Sequence, residues 1–397
     1  MKRILIITAN YTGYGHKSIC EALCEQLADF PDVVIQVVDG FSLIGSMGIR
    51  ASKLYGPITR NASDLWKLTY NIFDKQTGKT GEDMLTALIY ERCVRKLRAF
   101  EPGLILSVHP LFNRSILNIL KFHKMHIPFV ALQADIINIH RAWCDARATL
   151  TLSPTPEAYE CSMNMHGMPE AKLELCGFPT RARFTDLART TDSPTFEGGR
   201  PINLLLMSGG EGSGNLMKYA VQLLKHTDAN LMIICGRNKK LVEEINEQLV
   251  PEYGERVQAF GFLTNVQDYM IKADLVIARG SPNTMMEAVV LGVPLMITGS
   301  LPGQEADNPA LMISHNLGIL CETPESAPSM IKALMSNNGK RLREIREAQR
   351  EYRNLDNAKL LAKRLCELAL SADQQKRTQN RLPATLLGIR YPKKAEK

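Results

Sequence analysis

The chain has 397 residues, 45% of them hydrophobic and 22% charged, with a net charge of +7 and nine cysteines. That length allows two domains, each with its own core, and the composition is that of a soluble globular protein. No apolar run approaches the roughly 20 residues of a bilayer span, no signal-peptide pattern opens the chain, and the cysteines lack the paired spacing of a metal site or disulfide framework.

Strand-like runs alternate with helical stretches, which predicts parallel sheets covered by helices. In the first half the predicted strands are residues 3–8, 33–38, 104–108, 128–132 and 150–152. The second half restarts with 202–207, 231–235, 257–260, 275–278 and 294–298. Residues 185–201, rich in Thr, Ser, Pro and Gly, read as a linker between two α/β domains with a cleft between them.

The first predicted strand ends in Thr8-Ala9-Asn10-Tyr11-Thr12-Gly13-Tyr14-Gly15-His16-Lys17-Ser18, and an amphipathic helix follows Ser18. His16 therefore falls at a strand-to-helix turn on the carboxyl edge of a sheet, where open α/β proteins bind ligands. Histidine changes charge near neutral pH, so one at this edge is a candidate proton acceptor; an ordinary βα turn with a surface histidine is the alternative. The loop is neither a Walker A loop, because Tyr11 and His16 stand at its glycine positions, nor a dinucleotide fingerprint, because Ser18 replaces the third glycine.

Residues 41–80 break the alternation. They mix Trp66, Tyr70, Phe73 and other apolar side chains with Arg50, Lys53, Arg60, Lys67, Lys75 and Lys79. Rings among basic side chains suit a membrane interface, although a helical excursion packed on its own domain has the same composition. Further on, Ser107-Val108-His109-Pro110 and Gln133-Ala134-Asp135 each close a predicted strand, so Asp135 is placed to face the same cleft as His16.

Three loops in the second half have ligand-binding chemistry. Ser208 to Asn215 contains Gly209 and Gly210, whose bare backbone allows close approach, while Glu211 is awkward for a pyrophosphate and the full dinucleotide spacing is missing. In Ala278-Arg279-Gly280-Ser281-Pro282-Asn283-Thr284, Ser281 reads as an N-cap and Pro282 as the first helical residue. Such a helix start attracts phosphate, with Arg279 adding a charge. Glu287 shares a face with Asn283 and Thr284 and could accept hydrogen bonds from ribose hydroxyls. The third loop, with Gln304, Glu305, Asp307 and Asn308, offers donors and acceptors to sugar hydroxyls. The chain closes on residues 374–397, which hold seven basic residues and one acid, six of the seven net charges; such a tail is either a solvated appendage or drawn to an anionic membrane surface.

Taken together, Gly13 to His16, Ser107 to Pro110, Ala134-Asp135, Gly177-Phe178-Pro179-Thr180-Arg181, Arg279 to Glu287, and Pro302-Gly303-Gln304-Glu305 with Asn308 resemble the monogalactosyldiacylglycerol synthase and diacylglycerol glucosyltransferase group of glycosyltransferase family 28. The resemblance implies the GT-B fold, two Rossmann-like domains facing across a cleft. It implies an acceptor domain over 1–184 with the membrane-facing excursion 41–80, the linker 185–201, a UDP-sugar domain over 202–338, helices over 339–372 crossing back to the first domain, and a disordered basic tail 373–397.

The implied activity is inverting transfer of galactose or glucose from UDP-galactose or UDP-glucose to diacylglycerol. His16 would be the base, with Asp135 a second candidate. Gly209, Gly210, Arg279, Ser281, Asn283, Thr284, Glu287, Gln304 and Glu305 would hold the donor, and Tyr14, His109, Trp66, Tyr70 and Phe73 would face acceptor and membrane. No metal or further cofactor is expected, the UDP-sugar being a co-substrate, and no nucleic-acid partner. The implied location is peripheral, on the cytoplasmic face of the cell membrane. The chain departs from the family pattern at Tyr14 and Ser281, where glycine is usual, and at Arg279, where lysine is usual. Transfer to a polyprenyl-linked acceptor, or a non-catalytic UDP-sugar sensor, are the alternatives.

Overall fold

A computed structural model describes residues 1–10, 14–53, 79–207, 215–303, 305–371 and 374. Twelve strands among them form two parallel sheets. The first contains β1 (Lys2–Thr8), β2 (Val33–Asp39), β3 (Leu104–Ser107), β4 (Phe129–Leu132), β5 (Leu150–Ser153) and β6 (Leu173–Leu175), in the order β2-β1-β3-β4-β5-β6. The second contains β7 (Asn203–Met207), β8 (Asn230–Ile234), β9 (Val257–Phe260), β10 (Leu275–Ala278), β11 (Leu295–Ile297) and β12 (Gly318–Leu320), in the order β12-β11-β10-β7-β8-β9.

The central strands are apolar without alternation because helices cover both faces. Ile4, Leu5, Ile6 and Ile7 of β1 and Leu204, Leu205 and Leu206 of β7 are all buried. The strand order reverses direction between β1 and β3 in one sheet and between β7 and β10 in the other. Those are the crevices where doubly wound sheets bind ligands. Both crevices carry loops singled out in the sequence.

One apolar cluster joins the domains, running from Ile4 and Leu106 through Phe184 to Met285 and Val289. The tail end of the chain also ties them together. The helix Asn357–Leu368 buries Leu361, Ala362 and Leu365 in that cluster. Lys2 Nζ donates to the Cys366 carbonyl at 2.6 Å, Leu370 N–H to the Gly103 carbonyl at 3.0 Å, and Arg364 grips Glu174 with bonds of 2.8–3.0 Å.

The local differences from the expected elements have simple causes. β6 and β12 are three-residue edge strands, too short for a periodic signal. The first helix, α1 (Tyr14–Leu27), begins four residues before Ser18, so His16 sits in its first turn rather than on the loop before it. The linker expected at 185–201 starts as helix, Ala182–Thr190, because Phe184, Thr185 and Ala188 form a buried stripe. The remaining extended stretch is held by buried Arg346, which donates to the Ser193 carbonyl at 2.9 Å and to Thr195 Oγ1 at 2.6 Å. The expected helical stretch 339–372 is two segments, the latter part of Ala327–Tyr352, which leaves helical geometry at Ser336–Gly339, and Asn357–Leu368.

Within the 41–80 excursion, Gly40–Ile44 and Ser46–Lys53 are short helices and Lys79–Phe100 begins a long one. Trp66, Tyr70 and Phe73 lie outside the described residues, as do Gly209, Gly210, Gln304, the side chain of Tyr14 and the tail beyond 374.

Candidate active site

The first crevice is built by the start of α1 beyond β1, the turn Pro110–Phe112 beyond β3, and the irregular segment after β4 that carries Asp135. His16, in the first turn of α1, is buried, and its ring centroid lies 4.5 Å from that of His109, just beyond β3. His109 N-caps the turn Pro110–Phe112, its Nδ1 accepting the Leu111 N–H at 3.4 Å. Phe41 meets His109 edge-on at 5.7 Å. On the other side Trp143, fully buried, lies 6.3 Å from His16 and donates its indole N–H to Asp135 Oδ2 at 2.6 Å.

Burial takes the His16 imidazole down to about 4, only partly offset by a hydrogen bond to the Val108 backbone. His109 is held well below the usual histidine range, first by burial and then by repulsion from His16. Both rings are therefore neutral at pH 7. Nδ1 of His16 has no hydrogen-bond partner among the described residues, so the neutral ring offers a lone pair there. Asp135, by contrast, has one carboxylate oxygen engaged by Trp143.

The second crevice is built from the ends of β10 and β11. Ser281 takes the extended N-cap conformation and Pro282 opens the helix Pro282–Leu291, but the Ser281 hydroxyl bonds Thr284 Oγ1 at 3.0 Å instead of capping the backbone. The helix start thus keeps N–H groups and dipole for an anion. Asn308 Nδ2 donates to the Gly280 carbonyl at 2.8 Å and fixes the preceding turn.

The predicted donor residues are not isolated. Glu305, buried, accepts the Leu301 N–H at 3.0 Å and lies 3.4 Å from Arg279 Nε. Glu287, also buried, accepts from Arg181 Nη2 at 2.5 Å. Burial pushes both carboxyls up, and the neighbouring arginine pulls each back.

The crevices meet. A Cβ built on Gly15 would come within 3.1 Å of Asn283 Nδ2, which places the first turn of α1, with His16 in it, against the start of the Pro282–Leu291 helix. Further contacts cross between the domains, among them Arg181–Glu287, Arg183 Nη1 to the Thr264 carbonyl at 2.6 Å, Asn138 Nδ2 to Asp307 Oδ2 at 3.0 Å, and His315 Nε2 with Glu157 Oε1 at 2.6 Å. His16 Nδ1, Thr180 Oγ1, Arg181 Nε and Arg279 Nε are among the buried polar atoms that have no hydrogen bond among the described residues. Buried polar groups in native proteins normally find partners, so this cluster between the two sheets is suited to a polar ligand.

The structure thus brings His16, His109 and Asp135 into one crevice and Arg279, Ser281, Asn283, Thr284, Glu287 and Glu305 into the other. Sequence reasoning missed Trp143 and the partnership of Arg181, whose only signal was its place at the end of Gly177-Phe178-Pro179-Thr180-Arg181. No cluster of three metal-ligating side chains occurs among the described residues, and Cys20 and Cys24, 4.0 Å apart in α1, are free thiols.

Residues 16–180 match the family model of monogalactosyldiacylglycerol (MGDG) synthase, and residues 205–365 match that of the glycosyltransferase family 28 C-terminal domain. Monogalactosyldiacylglycerol synthase 3, chloroplastic, of Arabidopsis thaliana is 25% identical over 363 residues, 87% of this chain and 77% of the relative. The Spinacia oleracea monogalactosyldiacylglycerol synthase, chloroplastic, is 28% identical over 343 residues, 82% of this chain and 64% of the relative, so the chain spans just under two thirds of that protein. The crystal structure of Acinetobacter baumannii MurG superposes with a TM-score of 0.62 at 15% identity, covering 92% of this chain and all of that one. It shows the shared GT-B fold.

Proposed function

The chain belongs to glycosyltransferase family 28 and is related to the monogalactosyldiacylglycerol synthases, and from that premise we propose that it transfers a hexose, galactose or glucose, from a UDP-sugar to diacylglycerol. The observation that carries this reading is the junction of the two crevices. A neutral, buried histidine whose Nδ1 has no partner among the described residues sits one residue from the contact between Gly15 and Asn283, at a helix start suited to a diphosphate.

In this reading the diphosphate lies on the N–H groups of Ser281–Thr284, Glu287 takes the ribose hydroxyls, and Glu305 with Gln304 orients the hexose. The acceptor hydroxyl attacks the anomeric carbon as the bond to the UDP oxygen breaks, and His16 Nδ1 takes the hydroxyl proton. One displacement inverts the anomeric centre. The helix dipole stabilises the charge that develops on UDP, so the scheme calls on no metal or further cofactor. The negative charge of a bound diphosphate raises the low basicity of His16 toward the value a general base needs.

The acceptor enters past Phe41 and His109. Met47, Met84 and Leu88, all exposed, lie on the helices bordering residues 54–78, and their apolar surface with that segment and the basic tail suits attachment to the cytoplasmic face of an anionic membrane. No helix among the described residues is long and apolar enough to cross one.

The test is to incubate the protein with radiolabelled UDP-galactose or UDP-glucose and diacylglycerol vesicles, beside His16→Ala. A glycolipid of inverted anomeric configuration, made by the wild type and lost in the variant, is the expected result. Nucleotide binding with no product from either sugar would overturn the reading in favour of a UDP-sugar sensor.

A further inference from the structure

Arg181 belongs to the first domain, yet it forms the shortest contact into the donor crevice. It emerges from Gly177-Phe178-Pro179-Thr180 just before the helix Ala182–Thr190, and its Nη2 lies 2.5 Å from Glu287 Oε1, a carboxylate buried on the Pro282–Leu291 helix. Its own attachment runs to α1. Arg181 Nη1 is 3.7 Å from Glu21 Oε2, and Glu25 Oε2, one turn on, accepts the Ala182 N–H at 2.8 Å. The Phe184 ring lies 5.1 Å from the guanidinium carbon and supports its plane. A planar guanidinium held by a ring on one side and carboxylates at its ends has little freedom to turn.

From this geometry we infer that Arg181 is a positioning residue. It fixes Glu287 for the donor ribose and ties that subsite to α1, the helix that carries His16. The inference rests on the reading of Glu287 as the ribose ligand. A buried carboxylate accepts two hydroxyl hydrogen bonds well only when ionised, and a charged partner on the opposite domain keeps it so. Because α1 anchors the arginine, the nucleoside subsite and the base are set in one frame, and a shift of one moves the other.

Several charged groups surround Glu287 among the described residues. Arg181 and Arg183 come from the first domain and Glu21 from α1, Asp268 lies on the neighbouring Val266–Met270 helix, and Arg350 and Arg353 sit at the far end of its own helix beside Gly292. Glu21 opposes ionisation and the two first-domain arginines favour it, with Arg181 the stronger. Removing Arg181 therefore pushes the Glu287 carboxyl further up, and UDP affinity is lost as the pH falls.

The experiment titrates UDP calorimetrically from pH 6 to pH 9 into wild type, Arg181→Gln, Arg181→Lys and Glu287→Gln, after melting curves confirm that each folds. The expected result for Arg181→Gln is a dissociation constant raised at least tenfold at pH 6.5 and less than threefold at pH 8.5, with Arg181→Lys intermediate and Glu287→Gln weak at every pH. Equal weakening of Arg181→Gln across the range would mark a direct ligand contact and overturn the positioning role. If Glu287→Gln binds UDP as wild type does, the ribose assignment itself falls, and the inference with it. Should Arg181→Gln not fold, Arg181→Lys decides, its affinity loss growing toward low pH or not.

Discussion

The two crevices solve opposite electrostatic problems. On the first-domain side the polar groups are two neutral imidazoles and an aspartate held by an indole, packed among Phe41, Phe112 and Trp143. On the second-domain side charges come in pairs, Arg279 with Glu305 and Arg181 with Glu287, around a helix start with no side-chain cap. A buried uncharged ring can take a proton from a neutral hydroxyl, whereas an uncapped helix start and fixed ion pairs suit a ligand that arrives charged. The cleft is thus divided by charge as well as by domain. On the proposed mechanism, the proton chemistry falls to one wall and the charge stabilisation to the other.

Breaking the first wall gives the largest expected effect. His16→Ala should lower kcat by about 10²–10⁴, the usual contribution of a general base, while the dissociation constant for UDP stays as in wild type. Equal losses in both would place the histidine in donor binding and dissolve the division.

Acid is the next test, and it reads the neutral state of His16 directly. An imidazole lowered to about 4 in the fold but near 6.5 in the unfolded chain contributes stability that is complete above pH 6.5 and is lost as the pH falls toward 4. The shift corresponds to about 3 kcal/mol by pH 4. Urea unfolding of wild type at pH 7 and pH 4.5 should therefore show a steeper acid loss than His16→Gln. Identical slopes would mean that the ring is charged in the fold or does not titrate.

Trp143→Phe keeps one aromatic ring but deletes the indole donor to Asp135 and part of a fully buried side chain. Losing that hydrogen bond and packing should cost about 1–3 kcal/mol in chemical unfolding, with UDP affinity unchanged, since the second wall is untouched. Smallest of all is Gly15→Ala. Its Cβ would press on the Asn283 amide, the mobile end of a side chain. Stability should stay within about 1 kcal/mol of wild type, while the KM for donor rises modestly and recovers when Asn283→Ala is added. No recovery would show that the contact between the walls is incidental.

Much of the frame could be read before the structure. The long apolar runs of β1, β7 and β10 gave their strands away because strands buried on both faces need continuous hydrophobic sequence. The Ser281-Pro282 helix start could be read because N-cap and N1 preferences are local. What could not be read is what depends on tertiary approach. β6 and β12 are three residues long and pair only because neighbours lie beside them. His16 looked like a loop residue because no local signal placed the start of α1 at Tyr14. Trp143 lies eight residues beyond Asp135, and only the fold sets its indole against the carboxylate. Arg181 and Glu287, 106 residues apart, are paired by the closure of two domains, which no periodicity encodes.

The return of the chain to the first domain has a consequence for biosynthesis. All strands of the second sheet and the helix Ala327–Tyr352 precede residue 357, whereas the first domain includes Asn357–Leu368 and the bridge between Lys2 and Ser371. As the polypeptide leaves the ribosome, the domain that starts first is the one that finishes last. Until the final helix emerges, the flank of α1 that it covers stays open to solvent, and His16 rides on a helix not yet clamped. The second domain can therefore fold while the first is unfinished, and the cleft is assembled only once Asn357–Leu368 has emerged.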